Sequence, residues 1–149
     1  MDSIDEEDPL RIQFEDLENA ENVSNKLSDY LLLLENERID DIALKIKEQS
    51  IYRLARIYTE NKQFSDVLNL LKSNGSFFSV IPKAKTAKIV RQILNIVAAI
   101  PDSLSIQIDL SQNVVEWCKA EKRTFLRQRI EAKVHLVHHY NNIVVNNYS

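Results

Sequence analysis

Glycine and proline, the residues that most often interrupt regular secondary structure, are scarce in this sequence: one Gly and three Pro among 149 residues. Sheet proteins reverse their chain at short turns that favour glycine, whereas long helices joined by short turns need few residues of either kind. The composition therefore predicts an all-α fold. A single glycine also excludes the glycine-rich loops that hold nucleotide phosphates.

Cysteine and long apolar runs are equally scarce. Cys118 is the only cysteine, so an internal disulfide is excluded, and its position beside Trp117 on an apolar helix face predicts a small buried thiol. The chain has no secretory leader and no apolar run of about 20 residues, which predicts a soluble intracellular protein with no membrane partner. Since no nucleophile–base pair or metal-ligand set is visible, we expect neither an enzyme nor a cofactor.

Charge is unevenly distributed along the chain. Residues 1–21 carry nine acidic residues against one arginine, and residues 22–149 carry the remaining 13 acidic residues and 18 basic ones, a net charge of +5. The concentration of acid at the start predicts a disordered acidic tip over residues 1–9. The rest of the chain is mildly basic.

Apolar residues recur at helical spacing over residues 10–140. Two of the clearest stripes are Ile51, Leu54, Ala55, Tyr58 and Val90, Ile93, Leu94, Val97. Gly75 is suited to a left-handed helix stop, and the last long helix is predicted to end near Tyr140, leaving the Asn-rich residues 141–149 as an incomplete tail.

Helix starts are predicted near residues 64, 102 and 140, at equal intervals of 38 residues. A regular interval of this size with two helices per repeat is typical of stacked helical hairpins. The sequence therefore predicts five to seven helices in a right-handed α-solenoid of tetratricopeptide-like type, in which each hairpin buries its apolar face against the next.

Two groups of side chains are candidate sites. His135, His138 and His139 have a spacing that can place two imidazoles on one metal, but no carboxylate or cysteine close by completes the set. We therefore interpret them as a histidine cluster at the negative end of a helix, and predict no metal site.

The second group consists of cations that can form a positive ridge. Its members are Lys83, Lys85, Lys88, Arg91, Lys122, Arg123 and Arg127. Two interpretations stay open: a plain solvated face, or a docking surface for an acidic protein partner. Nucleic acid is not expected as a partner, because Phe125 is the only aromatic residue available for base stacking among these cations.

The stretch Glu116–Gln128, EWCKAEKRTFLRQ, predicts a corner between two helices. Trp117, Ile130 and Phe125 are expected to be packing residues, together with Leu126. Lys122 and Arg123 fall at the turn, where they are expected to cap the carbonyl groups that end the preceding helix.

This stretch also resembles a motif of the 26S proteasome non-ATPase regulatory subunit 11 family. Ile46–Ile51 is similar to a second motif of that family, and Lys83-Ala84-Lys85 followed by Val90-Arg91 is similar to a third. The order and spacing agree, and the resemblance covers approximately residues 45–140.

The resemblance implies a long α-solenoid followed by a PCI domain, and we expect this chain to correspond to the solenoid part without that domain. It implies a non-catalytic scaffold of the regulatory-particle lid that supports ubiquitin-dependent protein degradation in the cytoplasm and nucleus. The implied partners are other lid subunits, the ATPase ring and the core particle. The alternative is a free-standing helical-repeat adapter or a signalosome-type subunit, including a truncated paralogue.

Overall fold

The computed structural model describes the backbone of residues 7–21 and 26–148, and the side chains of those residues apart from 141–145 and 147–148. Within these ranges it contains eight α-helices and no strand. They are α1 (Pro9–Asn19), α2 (Lys26–Glu35), α3 (Asp41–Glu60), α4 (Phe64–Lys72), α5 (Gly75–Val80), α6 (Lys83–Ala98), α7 (Leu104–Ala120) and α8 (Thr124–Tyr148). The all-α prediction is confirmed, with more helices than the five to seven expected. Residues 1–6 of the predicted acidic tip lie outside the described residues.

The chain divides into two compact units, residues 1–96 and 97–149. In the first unit α1, α2 and α3 pack against one another, and α4 packs on α3. In the second unit α7 and α8 pack together as a hairpin. Along the described part of the chain, no helix is both long and apolar enough to cross a membrane.

The core follows the predicted stripes closely. Ile51, Leu54, Ala55 and Tyr58 of α3 are all buried, as are Val90, Ile93 and Leu94 of α6. Residues three and four apart lie on one side of a helix, so each stripe turns a continuous apolar face inward. The aromatic residues Tyr30 and Phe78 are among the largest fully buried side chains.

Helix α1 is tied to the segment between α2 and α3. Asp8 caps the helix, since its Oδ1 accepts hydrogen bonds from the backbone N–H groups of Leu10 and Arg11 at 2.9 and 3.3 Å. The same carboxylate receives two hydrogen bonds from the Arg38 guanidinium, at 2.9 and 2.7 Å. Arg38 also contacts Asp40 at 2.8 Å, and it holds the pKa of Asp8 at about 2.

Replacing Arg38 with alanine is expected to raise the pKa of Asp8 from about 2 toward its ordinary value of 3.8. Because the folded-state pKa is depressed, the stabilisation from this ion pair is fully present above pH 3.8 and is lost as the pH falls through about 2. A carboxyl-carbon NMR titration of Asp8 measures the shift. Arg56→Ala, at an exposed position of α3, is the control; an equal shift in both variants would contradict the assignment.

A second contact joins the other end of α1 to α3. Arg53 Nε lies 2.9 Å from Glu18 Oε1, and the Tyr30 hydroxyl of α2 donates a hydrogen bond to the same carboxylate. The start of α1 therefore lies beside the start of α3, and the end of α1 lies beside the second half of α3. Helices α1 and α3 run in the same direction.

Helix α7 ends in a Schellman motif, in which two backbone N–H groups beyond the helix bond its last carbonyl groups. Lys122 has a left-handed backbone with φ of 56°, and its N–H donates to the Lys119 carbonyl at 3.2 Å. The Arg123 N–H donates to the Cys118 carbonyl at 2.7 Å. This confirms that Lys122 and Arg123 cap the helix. Lys62, with φ of 59°, occupies the corresponding position after α3.

Lys122→Gly is expected to raise the free energy of unfolding by about 0.5 kcal/mol. Relief of the left-handed strain outweighs the added freedom of glycine in the unfolded chain. Urea denaturation measures the change. The control is Lys119→Gly, one turn earlier within α7, where glycine is expected to cost about 1 kcal/mol. Destabilisation by both substitutions would show that the turn at Lys122 carries no relievable strain.

Three predictions about helix ends are wrong. Gly75 does not stop a helix in the left-handed conformation: its φ is not positive, and it begins α5, which buries Phe77 and Phe78. Helix α8 does not end near Tyr140 but continues to Tyr148, since asparagine opposes a helix only weakly and no Gly or Pro follows. No helix starts at residue 140, so the 38-residue interval does not hold.

Candidate protein-interaction surface

Four of the predicted cations lie on the first half of α6, and we call them the basic strip: Lys83, Lys85, Lys88 and Arg91. Lys85, Lys88 and Arg91 recur every third residue and therefore share one side of the helix. Lys83, Lys88 and Arg91 are exposed and Lys85 is half-buried. The apolar stripe of α6 is buried on its other side, which leaves the strip facing solvent.

The structure places a carboxylate under the strip that the sequence analysis missed. The Glu48 side chain on α3 is only 8% exposed, and its Oε1 lies 3.3 Å from Lys85 Nζ. Its Oε2 lies 3.8 Å from Lys88 Nζ and accepts a hydrogen bond from the Tyr52 hydroxyl at 2.7 Å. A buried carboxylate needs partners of this kind, because desolvation otherwise makes its charge costly.

Tyr52 of α3 interacts electrostatically with Arg91, the last cation of the strip. Burial and the hydrogen bond to Glu48 raise the pKa of Tyr52 well above its usual range, and the positive charge of Arg91 acts in the opposite direction. The contacts of Glu48 and the charge interaction of Tyr52 with Arg91 therefore place α3 beside the first half of α6.

Glu48 lowers the net charge of the basic strip and restrains two of its lysines. Among the described residues, the four cations of the strip together with Glu48, which contacts two of them, leave a net charge of +3 on this surface. The side chains of Lys85 and Lys88 remain 40% and 46% exposed, so both ammonium groups still reach solvent while Glu48 restrains them. The arrangement suits attraction of an anionic group.

The other three predicted cations belong to the second unit and have separate surroundings. Lys122 is exposed in the turn after α7. The guanidinium of Arg123 lies over the Trp117 ring, 5.3 Å from its centroid, which makes Arg123 part of the packing. Arg127 Nε lies 3.8 Å from Glu131 Oε1, one turn further along α8.

The burial predicted for this corner is confirmed at three positions, is only partial at Leu126, which is half-buried, and is wrong at Phe125. Trp117, Cys118 and Ile130 are buried, and burial raises the pKa of the Cys118 thiol to about 11. Phe125 is 73% exposed. It lies in the first turn of α8 on the outer side, and its ring contacts the Arg129 guanidinium 5.7 Å from the centroid.

The histidine cluster lies within α8 and not at its end, so the proposed interaction with a helix C-terminus is wrong. His135 and His138 line a 320 Å³ groove together with Glu116 and Glu131. Among the side chains that the structure describes, no group of three or more His, Cys, Asp or Glu residues is placed to hold a metal ion.

A larger groove of 540 Å³ lies in the first unit, where Leu34, Ile39 and Val80 form part of its lining. Lys47 also lines it, but its Nζ donates hydrogen bonds to the Asn36 carbonyl and, at 3.0 Å, to the Arg38 carbonyl. Burial lowers the pKa of Lys47. This charge holds the backbone after α2 in place, so it does not mark a ligand site.

Over the residues that the structure describes, the protein is all-helical, and its helices pack against one another in pairs. A profile of the family described as the 26S proteasome regulatory subunit RPN6 N-terminal domain matches residues 12–141. The chain belongs to this family, which is regulatory and non-catalytic. The match begins well before residue 45, where the motif resemblance starts.

Curated relatives agree with the family match. The 26S proteasome non-ATPase regulatory subunit 11 homolog of Arabidopsis thaliana is 48% identical over 113 residues, which are 76% of this chain and 27% of that protein. The 26S proteasome non-ATPase regulatory subunit 11 of Dictyostelium discoideum is 34% identical over 122 residues, which are 82% of this chain and 29% of that protein. The chain therefore spans less than a third of the length of these relatives.

Proposed function

We propose that this chain is the N-terminal helical portion of a proteasome lid scaffold. In this role it binds other lid subunits, the ATPase ring and the core particle, and it supports ubiquitin-dependent degradation in the cytoplasm and nucleus. The observation that carries the proposal is the family match over residues 12–141, together with relatives named as proteasome regulatory subunits.

The helix directions support a solenoid within the first unit. Helices α1 and α3 run the same way, as their side-chain contacts indicate, while α2 packs on both of them. A parallel series of first helices with returning helices between them is the arrangement of stacked hairpins. We propose that the first unit is the start of a right-handed, tetratricopeptide-like α-solenoid.

The proposal is tested with purified components. The tagged chain is incubated separately with core particle, ATPase ring and lid lacking its own subunit of this family, and the retained protein is quantified. We expect retention of at least one of the three at physiological salt, since a scaffold of this kind has to contact its neighbours directly. A chain with a matching tag but scrambled sequence is the control. Retention of none of the three would overturn the proposal in favour of a free-standing adapter.

A further inference from the structure

We propose that the basic strip of α6, with Glu48 beneath it, docks an acidic segment of a partner protein, and that Glu48 limits the affinity by competing for Lys85 and Lys88. This deepens the proposed function by naming the chemistry of one contact. The inference rests on the proposed function only in assuming that the partner is a protein.

The strip lies in the longest stretch of the chain without acid. No Asp or Glu occurs between Asp66 and Asp102, so α6 offers four cations and no anion of its own. In globular proteins charges of both signs are usually interspersed over the surface. Within the described part of the chain, Glu48 of α3 is the carboxylate that contacts the strip and reduces its positive field.

The structure already contains the type of group that the strip would bind. Glu48 is a carboxylate held by Lys85 and Lys88 at 3.3 and 3.8 Å. Both distances exceed the 2.7–2.9 Å of a strong charge-assisted hydrogen bond. Each ammonium group has three hydrogens to donate, and both side chains are more than a third exposed, so each lysine can bind a second carboxylate from outside.

The spacing of the cations suggests the form of the acidic segment. Lys85, Lys88 and Arg91 are three residues apart, which places them about 4.5 Å apart along the helix axis. An acidic helix with carboxylates three or four residues apart presents charges at nearly the same interval. Single-stranded nucleic acid is a poorer fit, because its binding relies on exposed aromatic stacking surfaces, and the neighbouring Tyr52 is half-buried and bound to Glu48.

The first test measures binding of a fluorescent peptide of 14 residues, with glutamate at every third or fourth position, by anisotropy at two salt concentrations. We expect Lys88→Gln with Arg91→Gln to weaken binding about tenfold at low salt, and less at higher salt because screening reduces the attraction. The control pair Lys72→Gln with Lys133→Gln removes the same charge at exposed positions outside the strip. We expect the control to change binding by less than about twofold.

The second test uses a substitution that is expected to strengthen peptide binding instead of weakening it. Glu48→Gln removes the competing charge while its amide oxygen can still accept the Tyr52 hydrogen bond. We expect it to tighten peptide binding about two- to fivefold, as one fewer negative charge near the bound carboxylates predicts. A purely structural Glu48 would give unchanged or weaker binding. The melting temperature of Glu48→Gln is measured alongside. If it is lowered, the inference is judged only from the comparison of the strip double variant with its control double variant in the first test.

Equal weakening by both glutamine pairs would overturn the inference, because only net charge would then matter. Tighter, strip-dependent binding of a single-stranded oligonucleotide of equal charge would overturn it in favour of nucleic acid. The peptide assay contains no proteasome component, so the two proposals fail separately. Retention by proteasome subunits without strip-dependent peptide binding removes this inference alone, and the reverse result removes the proposed function alone.

Discussion

Replacing Trp117 with alanine is expected to lower the free energy of unfolding by about 3–5 kcal/mol, the usual cost of truncating a large aromatic side chain in a core. Trp117 is only 5% exposed, its ring lies under the Arg123 guanidinium, and the adjacent Cys118 is fully buried. Alanine would leave a cavity at the end of α7. Chemical denaturation followed by far-UV circular dichroism measures the change.

Phe125 provides a matched control in the same corner of the molecule. It is also aromatic, but it is 73% exposed, and Phe125→Ala is expected to change the free energy of unfolding by less than about 0.5 kcal/mol. The comparison separates burial from aromatic character. Similar losses in the two variants would mean that the burial of this corner is misassigned.

Reversing Lys85 and Lys88 to glutamate is expected to lower the free energy of unfolding by about 3 kcal/mol, because removing the partners of a buried charge leaves it uncompensated. The two new carboxylates would also repel Glu48, whose side chain is 8% exposed. Judged from the sequence alone, this substitution concerns exposed charges and should leave stability unchanged. Guanidinium denaturation distinguishes the two expectations.

Lys83→Glu with Arg91→Glu is the control for this reversal. It makes the same change in net charge on the same helix, at two exposed positions, and it leaves both lysines in place against Glu48. We expect a loss below about 1 kcal/mol. If both pairs destabilise the protein equally, the effect comes from the overall charge of α6 and not from the contact with Glu48.

The apolar faces of the helices could be predicted from the sequence because they depend on local spacing. The stripe from Ile51 to Tyr58 needs only the helical period and the cost of exposing apolar area to predict its burial. The same reasoning succeeds for Val90, Ile93 and Leu94 of α6. The cap formed by Lys122 and Arg123 is also local, because its hydrogen bonds span only a few residues.

The helix ends and the exposed aromatic residue were harder to predict. Gly75 resembles a helix stop in the sequence, but burial of the following Phe77 and Phe78 favours a short helix that starts there. Phe125 looks apolar enough for the core. It lies in the first turn of α8 and is 73% exposed. The side of α8 on which it lies is set by the turn that joins α7 to α8, and apolar spacing alone does not reveal this.

The partner of the basic strip could not be predicted because it is 37 residues away in the chain. Glu48 lies between Lys47 and Gln49 in an ordinary helical sequence, with no local sign that its side chain is buried. Its burial follows from the packing of α6 beside α3. Periodicity can therefore locate a charged surface, but the carboxylate that reduces its charge becomes visible only when the helices are assembled.

The single cysteine gives this protein an internal probe of its own opening motions. Cys118 is fully buried, and with a thiol pKa raised to about 11 it forms almost no reactive thiolate at neutral pH. A thiol reagent can therefore modify it only when α7 is transiently exposed, and the labelling rate reports how often that happens. Docking of any partner that steadies the α7–α8 hairpin would slow this reaction, so binding can be followed without adding a label.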